Sequence, residues 1–70
     1  MKVDEAVTIG GLVVVTDHAP DEAKTYVGCR GEVVDAMYEA ATGTWLAAVS
    51  FGTSLEPVWF AADELRPFRG

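Results

Sequence analysis

Seventy residues hold one domain, and a chain of this size buries only about 60% of the surface its unfolded form exposes, so neither a second core nor a wide stability margin is expected. Eleven acids against five bases leave a formal charge of -6, a balance that opposes nucleic-acid binding, whose affinity comes from Lys and Arg on phosphates. Half of the residues are apolar, yet no apolar run nears the ~18 residues that cross a bilayer, and a single cysteine, Cys29, excludes an internal disulfide and a cysteine-built zinc site.

Met1 to Gly10 carries one lysine, Asp4, Glu5 and scattered apolar residues, without the basic start and apolar stretch of a secretory signal. The expectation is a cytoplasmic protein with residues 1–10 as an N-terminal extension or edge segment and 11–68 as the folded unit. Gly10-Gly11 lead into a first strand at 12–16, with Val13 and Val15 inward and Leu12 and Val14 on the opposite face. Asp17 to Ala23, with Pro20, reads as a solvated acidic loop, and Cys29 as a small buried cysteine. A second strand follows at 31–38, then a Thr42-Gly43 turn. In a third strand at 44–51, Trp45, Ala47, Val49 and Phe51 form the core face, opposite Leu46, Ala48 and Ser50. After the loop Gly52 to Pro57, a fourth strand at 56–60 turns Val58 and Phe60 inward and Trp59 outward. Ala61-Ala62-Asp63-Glu64 reads as a 3-10 turn, ahead of a last strand at 65–68. Short runs rich in Val, Trp, Tyr and Phe between Gly and Pro breaks define an all-β class.

Val13-Val14-Val15-Thr16-Asp17, Tyr26-Val27-Gly28-Cys29-Arg30-Gly31-Glu32-Val33, Val49-Ser50-Phe51-Gly52 and Pro57-Val58-Trp59-Phe60 ahead of Glu64-Leu65 carry a resemblance. From Gly11 to Pro67 the chain resembles small SH3-like barrels of the KOW type, such as the C-terminal domain of the NusG transcription factors. The resemblance implies a five-stranded SH3-like barrel with a short 3-10 turn before the last strand. It also implies that Gly31 is the family's central glycine, where the backbone needs freedom a side chain would deny. A weaker analogy is to SH3-like accessory subunits that dock on larger enzyme complexes. Nucleic-acid-binding members use basic loops, whereas here an acidic Asp17-His18-Ala19-Pro20-Asp21-Glu22 segment stands instead. The proline-rich-peptide-binding SH3 domains use an aromatic groove, and the Pro and Tyr of that groove are missing from Ala61 to Glu64.

Asp17, His18, Asp21 and Glu22 supply metal-ligand side chains, but their spacing fits no calcium loop and no second histidine exists for zinc. No metal and no cofactor are assigned. Cys29 with His18 is the one thiol and imidazole pair, with only Arg30 to lower the thiol's charge cost, and a domain this small is expected to lack a pocket of about 300 Å³. The protein is therefore read as a non-enzyme. What exceeds a simple soluble domain is the apolar surplus on the outer faces: Leu12, Val14, Val34, Leu46 and Ala48. It either lies beneath residues 1–9 or forms an interaction patch. With Trp59, a residue type enriched where binding energy concentrates, and Tyr26 of the first loop, Leu12, Val14, Val34 and Leu46 define a partner-binding set. The first expectation is a protein-interaction module or accessory subunit that docks on a protein partner or on itself as a homo-oligomer. A second is a KOW-type domain of the transcription or translation machinery that holds nucleic acid through Arg30, Arg66 and Arg69. A third is a small metal-binding or enzyme-accessory protein.

Overall fold

Strict alternation in Val58-Trp59-Phe60 sends one large ring each way, and in the computed structural model, which describes residues 7–52 and 56–68, Phe60 is 2% exposed and Trp59 46%. The same period of two buries Val13 and Val15 in β1 (Leu12–Val15) and Ala47 and Val49 in β3 (Thr44–Ser50). With β2 (Arg30–Glu39), β4 (Val58–Ala61) and β5 (Leu65–Pro67), the described residues form one five-stranded antiparallel sheet in the order β4-β3-β2-β1-β5. A 3-10 turn, Ala62–Glu64, joins β4 to β5. The class is all-β, as expected.

The sheet is not closed into a barrel by hydrogen bonds. Four antiparallel steps separate β4 from β5, so the two edge strands run in the same sense. A parallel ladder between them would need a crossover of a dozen or more residues, and only Ala62–Glu64 lies between. The chain therefore passes from one edge to the other as a continuation. Thr16 fastens this seam, donating from both its backbone N–H and its Oγ1 to the Glu64 carbonyl at 2.9 Å. Curvature brings Phe60 of β4 and Leu65 of β5 into one core with Val13, Val15, Val33, Ala47 and Val49.

Val7 also enters that core, because Gly10 donates to the Val33 carbonyl and Val33 donates to the Gly11 carbonyl, which turns the preceding chain inward. Gly10 makes this bend with φ +86°. Within residues 7–11 Val7 thus enters the core, while Thr8, Ile9 and Gly10 are exposed.

Three features depart from the sequence reading. The segment after Pro20 is a 3-10 helix, Asp21–Tyr26, which buries Ala23. The second is in β2, where Val33 pairs with Val49 but Asp35 pairs with Ala48, leaving Val34 as the extra residue of a bulge. Beyond it the alternation inverts. Ala36 and Tyr38 lie opposite Ala47 and Trp45 on the inner side. The third is Gly31, which has no positive φ; its absent side chain makes room for the core instead. A Cβ there would collide with Val49 Cγ1 and come within 2.9 Å of the Ser50 carbonyl oxygen and 3.1 Å of Phe51 Cδ1.

Candidate functional site

Residues directly opposed in an antiparallel sheet share a face, so the β2-β3-β4 register lays out the outer surface row by row. One row is Asp35, Ala48, Trp59, and the next is Met37, Leu46, Ala61. Trp59 and Met37, 46% and 47% exposed, flank the buried Ala48 and half-buried Leu46, and Val34 stands exposed at the bulge. Apart from the exposed Asp35 at one end, the two rows form an apolar strip that ends at β4, one edge of the sheet. Trp59, Leu46 and Val34 of the expected partner-binding set are thus brought together. Met37 belongs with them, although counting by twos from Val33 places it inside; only the bulge turns it out.

The other three lie elsewhere. Leu12 is exposed but sits on β1 opposite Glu32. Val14 was expected in an apolar patch and is 7% exposed, because the register sets Arg30 of β2 on one side of it and Arg66 of β5 on the other. Long arginine stems cover apolar surface while their charged ends stay in water. Tyr26 faces inward, stacked on Phe51 at 4.7 Å between ring centroids and edge-on to Phe60 at 6.2 Å.

Arg30 and Arg66, proposed from sequence for nucleic acid, therefore flank the same residue on one face. Arg30 also places its guanidinium 4.9 Å from the Phe68 ring centroid, and neither arginine has a carboxylate within 4.0 Å among the described residues. Arg69 lies outside the described residues. The acidic loop is bound otherwise: Lys24 Nζ donates to the Asp17 carbonyl at 2.9 Å, and His18 approaches the Asp17 carboxylate at 3.9 Å in solvent. Among the described residues no three His, Cys, Asp or Glu side chains gather at metal-binding distance.

Cys29 is exposed, contrary to the buried cysteine expected. The left-handed Gly28, φ +84°, donates to the Val15 carbonyl, and Cys29 N–H donates to the Tyr26 carbonyl. That turn pins the backbone to β1 and leaves the thiol on a rim. The rim borders an open hollow of about 650 Å³ lined by Thr25, Tyr26, Gly28, Cys29, Arg30 and Phe51, larger than was expected of so small a domain. No described side chain hydrogen-bonds the Cys29 thiol or orients a base toward it.

No helix among the described residues is long and apolar enough to cross a membrane. No family model, curated protein or solved structure matches the chain.

Proposed function

We propose that the protein is a non-catalytic interaction module of the SH3-like kind that docks through Trp59 and the apolar strip of the β2-β3-β4 face. The observation that carries this reading is the register: it sets Met37, Leu46, Ala61, Ala48 and Trp59 side by side on the face opposite the core. A sheet with one wet face ordinarily alternates apolar and polar residues, so an apolar outer strip calls for a covering surface. The strand order with a 3-10 turn ahead of β5 supports the SH3-like assignment. A cytoplasmic location is part of the same proposal. The test is affinity capture with the purified chain against Trp59→Ala and Leu46→Asp. Loss of the captured partner in both, with the fold intact, is the expected result, and capture equal to wild type would sink the proposal.

The second reading, a KOW-type nucleic-acid-binding domain, draws support from Arg30 and Arg66 on either side of Val14, neither of which has a carboxylate within 4.0 Å among the described residues. A salt titration separates the two. Binding to phosphates weakens steeply as salt rises, whereas an apolar contact persists.

A further inference from the structure

Carboxylates bound the apolar strip on two sides. Past the bulge, β2 turns every second residue outward, so Asp35 and Glu39 flank Met37 on the outer face, and all three are exposed. At the other end of the strip Glu64 reaches the β4 edge, where its Oε1 accepts from the Ala61 N–H at 2.9 Å. Its second carboxylate oxygen keeps its acceptor capacity. None of these three acids has a Lys, Arg or His nitrogen within 4.0 Å among the described residues. Arg30 and Arg66 stand around Val14 at the far end of the face, beyond the row of Leu12, Glu32 and Ser50.

We propose that the strip receives a short basic amphipathic segment of another protein. Its apolar side chains lie on Trp59, Leu46 and Ala48, and its Lys or Arg side chains reach Asp35 and Glu39 on one flank and Glu64 on the other. Strands lie about 4.8 Å apart, so β2 and β4 are about 10 Å apart across β3. That is about the width of a single helix, so one segment meets acids on both flanks. The two kinds of contact divide the work. Burial against Trp59 holds the segment, while the rim acids repel acidic partners and speed the approach of basic ones.

Other occupants fit this charge pattern less well. A polyanion meets three carboxylates. A second copy of the chain, of charge -6, sets acids against acids when the two strips face each other. A copy that offers its arginine end instead presents a covered Val14 and a Leu12 opposite Glu32, not an apolar anchor. Such a head-to-tail contact also fails to close.

This inference rests on the proposed docking role of Trp59 and names the chemistry of its partner. The test is a displayed library of random peptides, selected on wild type at low salt and counter-selected on Trp59→Ala. The Trp59-dependent peptides should combine apolar residues with more Lys and Arg than Asp and Glu. A synthetic copy of the most enriched peptide should bind the double variant Asp35→Asn, Glu39→Gln about three- to tenfold more weakly at low salt, as two exposed ion pairs are lost. Both substitutions keep a side-chain oxygen to accept from the Ala36 N–H and Thr42 Oγ1. At high salt that difference should close, while Trp59-dependent binding persists. Trp59-dependent peptides that are neutral or acidic, or that bind the double variant as tightly as wild type, would overturn the basic partner and leave the docking role intact. Recovery of no Trp59-dependent peptide would overturn both.

Discussion

Phe60 and Trp59 are neighbours with opposite environments, and truncating each should separate core from surface. Phe60→Ala removes a ring packed edge-on against Tyr26 and Phe51 and should cost about 3–5 kcal/mol. A domain of this size has roughly 4–10 kcal/mol in hand, so a large unfolded fraction should be visible by circular dichroism at room temperature. Trp59→Ala leaves Ala48 less covered but empties no cavity, and its cost should be about 1 kcal/mol or less. Equal losses at the two positions would show that the alternation is misassigned. Gly31 makes a third test. Its Cβ would press into Val49, Ser50 and Phe51, and Gly31→Ala should destabilise by about 1–3 kcal/mol through overpacking, read from the midpoint of denaturant unfolding.

At the scale of elements, the Val34 bulge and the Glu64 cap decide what faces where. Deleting Val34 would remove the extra residue and let Asp35, Ala36 and Met37 follow Val33 in the pairing they already have, opposite Ala48, Ala47 and Leu46. Because every later side chain keeps its face, where a one-residue slip would have inverted it, both the deletion and Val34→Ala should leave cooperative unfolding in place, and loss of the cooperative transition in the deletion alone would show that the bulge itself is required. Glu64 ties two elements together: its carboxylate caps Ala61 and its carbonyl receives both Thr16 donors. Ala61 has no side-chain oxygen to return the bond, so the 3-10 turn holds only half of a capping box. Glu64→Ala should cost about 1 kcal/mol, which for a domain this small lowers Tm by about 4–8 °C, and Glu64→Gln should recover most of it. The sequence made β3 and β4 readable because each runs without interruption and its own pattern declares its faces. β2 was not readable past Val33, because a bulge is fixed by the partner strand and leaves no mark in Val34-Asp35-Ala36-Met37. The same holds for Val14 and Cys29. Their environments depend on Arg30, Arg66 and a left-handed Gly28, which lie on other strands or in a turn whose direction only the folded chain sets.

For the molecule as a whole, charge and size together set how it responds to salt. The eleven acids are distributed along the chain over a body with principal extents of 31 × 25 × 22 Å. The Debye length is about 30 Å at 0.01 M ionic strength and about 8 Å at 0.15 M. At the lower value every acid therefore repels every other across the full width of the molecule, and at the higher value only near neighbours interact. The self-repulsion of a net -6 chain opposes the compact state, so Tm should rise as NaCl is raised between these concentrations. The same screening weakens repulsion between two copies, and a contact through the apolar residues around Trp59 has no ion pair to lose in return. Self-association should accordingly strengthen with salt, while a complex of Arg30 and Arg66 with a polyanion should weaken. Sedimentation and thermal melts on one salt series distinguish the two. Self-association that falls as salt rises would place the contact on the arginine face in place of the Trp59 strip.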